Sequence, residues 1–311
     1  GWYNGHPDHA GRDFDLSGER AVIVGNGNVA LDAARMLLMP AAELANTDIA
    51  QHALDALAHS NIREVVIVAR RGLRAAAFSV GEFLALAHLD GIDVVIDGDD
   101  PSADPDDDVE TAIKLEAARA HAARPATPGN KRIVFKFLAT PTEVLGTDAV
   151  TGLRVTGTDD GAVEDIPTSL LLRSIGYRGA PLGDLEFDQA AGIVPNTDGR
   201  VLDAADRPVP GVYVTGWIKR GPRGVIGTNR TCAEETVDHL FEDFDAGVLG
   251  SGTDTGDRDQ LRALLADRGL APVDWAGWRG IDAAERDRGA GTARPRVKFV
   301  AIDEMLSAAR K

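Results

Sequence analysis

The run Gly25-Asn26-Gly27-Asn28-Val29-Ala30 limits what this chain can fold into more than any other feature. It follows Ala21-Val22-Ile23-Val24, a short β-branched stretch bounded by charge, which reads as a buried strand. Beyond it, Val29, Leu31, Ala33, Ala34, Met36, Leu37 and Leu38 have the spacing of a largely buried helix, stopped at Pro40. Strand, G-x-G-x-x-A and helix in immediate succession predict the phosphate-binding turn of a Rossmann-like fold. Gly25 lets the chain turn sharply, Gly27 lets backbone N–H groups approach a pyrophosphate, and Ala30 keeps the helix close to the strand. The positive end of the helix favours the anion, and Asn26 and Asn28 can add side-chain donors.

The next strand, Val65-Val66-Ile67-Val68, decides which dinucleotide is expected. A site for NAD would carry an acid at the strand end to hold the ribose 2′-hydroxyl. Here the strand runs into Ala69-Arg70-Arg71-Gly72, with Arg74 close behind. Two adjacent guanidinium groups suit a 2′-phosphate, so NADP(H) is preferred over NAD. Gly27 and Arg70 lie 43 residues apart, where a compact unit needs nearer ~20. A second helical stretch over residues 42–59 accounts for the excess.

Further along, helices are expected over residues 80–89 and 109–122, with a strand at 93–96 between them. Short strands follow at 133–138, 152–156, 162–166 and 170–175, then a β segment at 212–215 and a helix over 229–244. Residues 247–256 read as a linker, and two or three polar helices finish the chain. The pattern predicts an α/β protein in two lobes, divided into residues 1–181 and 182–311. The segment 93–108 holds eight aspartates and no Lys or Arg. It lacks EF-hand spacing and reads as a solvated loop.

With 33 Lys and Arg against 49 Asp and Glu, the chain carries a net charge of −16. Such a molecule repels phosphate backbones and anionic lipids, so neither nucleic acid nor a membrane is the expected partner. No apolar run reaches the ~18 residues of a membrane span, and no secretory leader opens the sequence, which predicts a cytoplasmic protein. The single cysteine, Cys232, rules out an internal disulfide, a CxxC pair and a thiolate-held cluster within these residues. Redox chemistry would therefore be carried by a bound cofactor. Cys232 itself reads as a small buried residue, and His6 and His9 as loop histidines without a metal.

Several motifs together resemble the adrenodoxin reductase family, including actinobacterial ferredoxin–NADP(+) reductases of that type. They are Trp2-Tyr3-Asn4-Gly5-His6-Pro7, the Gly25–Asp32 run, Arg70-Arg71-Gly72, and Arg173-Ser174-Ile175-Gly176-Tyr177-Arg178-Gly179. Gly216-Trp217-Ile218-Lys219-Arg220-Gly221-Pro222 and its continuation through Arg223 to Asn229 form the most specific part. Pro295-Arg296-Val297-Lys298 and Asp303-Glu304-Met305-Leu306 fit as well. The resemblance implies a Rossmann-like NADP lobe joined to the C-terminal part of an FAD-binding α/β lobe. It also implies an FAD enzyme that takes hydride from NADPH and passes single electrons to a ferredoxin.

The resemblance further implies that Asn26, Gly27, Asn28 and Val29 contact the NADP pyrophosphate, Arg70 and Arg71 the 2′-phosphate, and Glu82 the same cofactor. Trp217 and the backbone of Gly224, Val225 and Ile226 would lie along the flavin, with Gly224 also near the nicotinamide. Hydride transfer between two such rings needs no general base, so no catalytic side chain is assigned. A basic patch of Lys219, Arg220 and Arg223 is the expected steering surface for an acidic ferredoxin. The family's own FAD-binding strand, glycine turn and helix stand upstream of the Trp-Tyr-Asn motif, and residues 1–311 hold no second such turn. The expectation is a fragment, or a missing portion supplied elsewhere, that purifies without flavin. Two alternatives stay open: another two-dinucleotide flavoprotein, such as the reductase subunit of glutamate synthase, and an NADP-binding module that catalyses nothing.

Overall fold

The computed structural model describes residues 1–222, 224, 226–249 and 258–310, and divides into two compact units, Gly1–Ile175 with Pro272–Lys311, and Gly176–Ala271. The first unit is built on five parallel strands: β1 (Arg20–Val24), β2 (Glu64–Val68), β3 (Ile92–Asp97), β4 (Lys131–Lys136) and, much later, β8 (Leu170–Arg173). Their order is β3-β4-β2-β1-β8. The inner strands β1 and β2 are buried on both faces, which explains why they read as continuous apolar runs rather than as alternating ones.

Helices α1 (Pro7–Ala10), α2 (Asn28–Leu38), α3 (Ala41–Leu44), α4 (Gln51–Ala58), α5 (Val80–Ala85) and α6 (Val109–Ala122) connect or precede these strands. Alternate strand residues Ala21, Ile23, Val65, Ile67, Ile133 and Phe135 pack on α2, α5 and α6. The opposite set, Val22, Val66 and Val68, packs on an antiparallel meander of β5 (Ala139–Leu145), β6 (Gly152–Gly157) and β7 (Val163–Pro167). The period of two along each strand thus assigns one face to helices and the other to the meander.

Three expectations fail locally. The helix over 42–59 is two helices, because Asn46 and Thr47 bond back to Ala42 and Leu44, while the Ala50 N–H donates to the Tyr3 carbonyl. Beyond Ala85 the helix over 80–89 tightens into a single 3₁₀ turn, Leu86–His88. The strand β5 went unpredicted: Pro141 argues against a strand, but it sits at a register irregularity where a ladder hydrogen bond is dispensable. In the acidic segment, Asp108 caps α6, Asp107 pairs with Arg74 at 2.6 Å, and Asp97 pairs with Lys136 at 2.8 Å. No group of side chains fit to hold a metal occurs among the described residues.

The second unit has a small antiparallel sheet of β9 (Asn196–Thr197), β10 (Arg200–Leu202) and β11 (Pro208–Tyr213), in the order β11-β10-β9. Strand β11 lies earlier than the expected 212–215. Helix α7 (Trp217–Arg220) follows it, then the long α8 (Ile226–Asp245) and α9 (Arg258–Asp267). Val194, Val201 and Val214 form its core with Leu185, Phe187 and Ile218. Arg200 clamps β10 to α8 with two bonds to Asp243, at 2.8 and 2.9 Å. The expected linker lies mostly at residues 250–257, outside the described residues.

The tail contains α10 (Trp275–Gly289) and α11 (Ile302–Ala309), and it groups with the first unit, not with residues 182–271. Charged contacts account for this grouping. Lys298 pairs with Asp48 at 3.3 Å, and the Arg294 guanidinium donates to the Ile49 carbonyl and to Gln51. Arg296 holds the tail's own helix through Asp282 and Glu285. No helix among the described residues is long and apolar enough to cross a membrane.

Candidate functional site

Strand register brings the first group of site residues together. Val24 at the end of β1 faces Val68 at the end of β2, so the glycine turn and Arg70-Arg71 emerge side by side. The separation of 43 positions between Gly27 and Arg70 is crossed by a single inter-strand step. The site lies at the carboxyl ends of parallel strands, where open α/β sheets bind ligands.

Each glycine of the turn has a separate reason. Gly25 has φ +103°, and a Cβ there would stand 2.2 Å from the Ser174 carbonyl oxygen. Only glycine fits, because the chain leaving β8 at Ser174 runs directly beside the turn. Gly27 has φ −84°, and a Cβ there would meet nothing within 4 Å. Neither backbone conformation nor packing within the chain demands a glycine here, which leaves room for a ligand against the backbone. Ala30 is fully buried between helix and sheet.

Gly27 caps α2 without any side-chain hydrogen bond; the Ala30 N–H donates to the Gly27 carbonyl at 2.9 Å, and the Asn28 and Val29 N–H groups keep their donor capacity. Val29, in that turn, is 60% exposed. The Asn28 side-chain Oδ1 accepts from the Ser79 N–H at 2.7 Å, and that of Asn26 from the Ala77 N–H at 3.4 Å. With their oxygens engaged, both amides are left their NH₂ groups to offer, which suits an anion.

Arg70 and Arg71 are exposed, and neither guanidinium has a hydrogen-bond or ion-pair partner among the described residues. Arg74 differs: it bonds Asp107 and the Ser102 carbonyl, both at 2.6 Å, and is spent on the acidic segment. The Leu73 N–H donates to Asp99 at 2.6 Å, which fixes the loop that carries the arginine pair.

Glu82, in the first turn of α5, accepts from Arg35 of α2 at 2.7 Å, while its carbonyl accepts from the same guanidinium at 2.9 Å. Asp32 lies 3.4 Å from Arg35. Burial pushes the Asp32 carboxyl above its ordinary range, with Arg35 opposing the shift and Glu82 adding to it. Sequence reasoning passed over Arg35. The signal was available, since Asn28, Asp32 and Arg35 recur at i, i+4 and i+7 on one helix face.

In the second unit, Trp217 opens α7 and stacks on Tyr177, with centroids 6.1 Å apart and planes 25° from parallel. Both rings are open to solvent, at 47% and 69% exposure. Gly224 has φ +90°, and a Cβ there would press on Thr228 at 2.7 Å. Val225 and Arg223 lie outside the described residues, as does the side chain of Ile226. Cys232 is buried, as expected, and accepts from the Gly216 N–H at 3.3 Å. Burial raises its thiol, but the Gly216 N–H, Thr215 and the Lys219 charge together bring it below its ordinary value.

Of the expected basic patch, Arg223 lies outside the described residues and Lys219 is not available at the surface. Lys219 is 8% exposed, ion-paired with Glu235 and 3.1 Å from the Thr236 hydroxyl. Arg220 donates to Asn229. Lys219 is thus a buried cross-link between α7 and α8, closed to a docking partner.

Together, the parallel sheet and its open glycine turn define a Rossmann-like α/β protein of the dinucleotide-binding class. No protein-family model matches the chain. A probable ferredoxin/ferredoxin–NADP reductase of Mycobacterium tuberculosis is 47% identical over 319 aligned positions, which take in 99% of this chain and 54% of that protein. The NADPH-ferredoxin reductase FprA of the same species is 43% identical, over 98% of this chain and 71% of its own length. The mitochondrial NADPH:adrenodoxin oxidoreductase of Arabidopsis thaliana is 38% identical, over 99% and 70%. A solved structure of M. tuberculosis FprA in complex with NADPH superposes with a TM-score of 0.86 at 41% identity, covering all of this chain and 72% of that one. The chain belongs to the ferredoxin–NADP reductase family of the adrenodoxin reductase type. It spans about half the length of the first of these relatives.

Proposed function

We propose that the protein carrying this chain oxidises NADPH and reduces a ferredoxin through bound FAD. One hydride brings two electrons, so each NADPH reduces two one-electron acceptors and yields NADP(+) and one proton. FAD, when bound, supplies the conversion from a two-electron donor to one-electron acceptors. The same reading puts the protein in the cytoplasm.

The residues present fit NADP. The uncapped start of α2 and the NH₂ groups of Asn26 and Asn28 hold the pyrophosphate, with Gly27 giving the backbone room to approach it. Arg70 and Arg71 clamp the 2′-phosphate. Glu82, fixed by Arg35, contacts the same cofactor. For FAD, the exposed Trp217 offers a flat apolar surface, and Gly224, Val225 and Ile226 bring the start of a 20-residue helix whose positive end favours a reduced, anionic ring. Trp217 covers part of that ring and limits access to it.

The observation that carries the reading is the unpartnered arginine pair beside the open glycine turn. In a chain with surplus carboxylate, two adjacent guanidinium groups left unpaired call for an external anion. Calorimetric titration of NADPH and NADH tests it. NADPH should bind far more tightly, and Arg70→Ala or Arg71→Ala should each weaken it roughly ten- to a hundredfold, about 1.5–3 kcal/mol. Equal affinity for both cofactors, before and after mutation, would sink the NADP assignment. Tight NADPH binding in a full-length protein that reduces no ferredoxin would favour the non-catalytic alternative.

A further inference from the structure

The amino ends of the same parallel strands carry a second charged site, roughly 13 Å from the glycine turn at ~3.3 Å per residue. Strand register sets Arg20 of β1 against Glu64 of β2, and Glu64 against Arg132 of β4. Adjacent parallel strands in register point these three side chains to one face, the face covered by the meander. They line a cavity of about 760 Å³ together with Glu19, Arg63 and Asn130. That volume falls within the range of small-molecule sites, ≈ 300–1,000 Å³.

The Glu64 side chain is 9% exposed and takes the Nε atoms of both Arg20 and Arg132, one on each oxygen. Its charge is therefore already answered. Both terminal amino groups of Arg132 are left without an acceptor among the described residues. Arg20 spends one of its two on the Pro167 carbonyl at 3.3 Å, and Arg63 one on the Gly129 carbonyl at 2.6 Å. Neither carbonyl bears a charge. Three guanidinium groups thus meet two carboxylates, Glu19 and Glu64, in a molecule whose net charge is −16. Elsewhere in the chain, arginines such as Arg154, Arg200 and Arg296 each hold two carboxylates. A structural ladder alone would need Arg20, Glu64 and Arg132, but not Arg63, nor an open cavity above them.

We propose that this cavity binds a small molecule with at least two oxyanion groups, phosphate or carboxylate, gripped by the free amino groups of Arg132, Arg63 and Arg20. Guanidinium forks accept both kinds of oxyanion in bidentate fashion. The site is independent of the nucleotide turn, whose residues lie at the opposite ends of the strands.

The test uses the chain carrying Arg70→Ala and Arg71→Ala, which disables the other arginine pair, titrated calorimetrically with citrate and with pyrophosphate at low salt. Saturable binding is expected, of one citrate per chain and of one pyrophosphate beyond any held at the glycine turn, and Arg63→Gln should weaken it at least tenfold while leaving the glycine-turn site unchanged. Tighter pyrophosphate binding identifies a phosphorylated ligand, and tighter citrate binding a polycarboxylate. Arg63→Gln leaves the Glu64 ladder intact. In the wild-type chain, the anion should slow modification of Arg63 and Arg132 by phenylglyoxal, read by mass spectrometry. No saturable binding of either anion, affinity indifferent to Arg63→Gln, or equal labelling with and without anion would each overturn the proposal.

Discussion

Two glycine-rich runs precede a helix in this protein, and they use glycine for opposite ends. At residues 25–27 one glycine is forced and one is not: Gly25 is held at φ +103° against the chain leaving β8, whereas Gly27 sits at an ordinary φ with open space beside it. At residues 216–224 the glycines Gly216, Gly221 and Gly224 all have positive φ, from +69° to +90°. There the chain's own path consumes them, and the sign of an external ligand is instead a pair of exposed stacked aromatics. A glycine points to a ligand where the fold could have done without it.

That contrast can be broken at four places. The largest effect belongs to Gly25→Ala, which meets both a left-handed backbone and the Ser174 carbonyl. A loss of about 3–5 kcal/mol in urea unfolding is expected. A change under about 1 kcal/mol would show that the chain leaving β8 can move aside. Lys219→Met comes next. It removes a buried ammonium from Glu235 and Thr236 while keeping the apolar stem. Glu235 is half exposed and regains water, so the cost should be about 1–2 kcal/mol. Unchanged stability combined with slower ferredoxin reduction would restore Lys219 to a docking role.

Gly27→Ala sharpens the comparison from the other side. Stability should fall by less than about 1 kcal/mol, the ordinary difference between these residues at a helix cap. NADPH affinity should nonetheless drop at least tenfold as the methyl group enters the ligand's space. A variant that binds NADPH normally would remove the meaning given to that open space.

The smallest effect is a pH dependence in the second unit. Hydrogen bonds from Arg200, then from the Tyr213 hydroxyl, hold the Asp243 carboxyl down to about 2. A carboxyl lowered on folding contributes stability that is complete above its unfolded value, near ~4. The contribution is lost as pH falls from there to about 2. Denaturant midpoints measured between pH 5 and pH 2 should therefore fall less steeply in Asp243→Asn than in the wild type. Parallel curves would show that the clamp is indifferent to this charge.

Much of the fold was legible because its signals are local. The runs at residues 21–24 and 65–68 are short, apolar and β-branched, and they became β1 and β2; residues 109–122 became α6 without change of bounds. The long helix over 42–59 misled, because turn-forming Asn46 and Thr47 sit inside an otherwise helical composition. Strand β5 stayed hidden because Pro141 is tolerable only at an irregularity that the partner strand creates. Arg35 was overlooked because its acceptor, Glu82, is 47 residues away and reaches it only through the packing of α5 on α2.

By itself the sequence determined the strand–turn–helix that would receive a pyrophosphate, since turn angle, helix start and burial there depend on contiguous residues. Tertiary structure alone decided which charges are free to meet anything. Arg70 and Arg71 stand open while Arg74, three residues on, is spent on Asp107. Lys219 is buried under α8, and Arg20, Glu64 and Arg132 become neighbours only through strand register. Pairing depends on distances between segments remote in the chain, and no spacing of residues along one strand of text contains them.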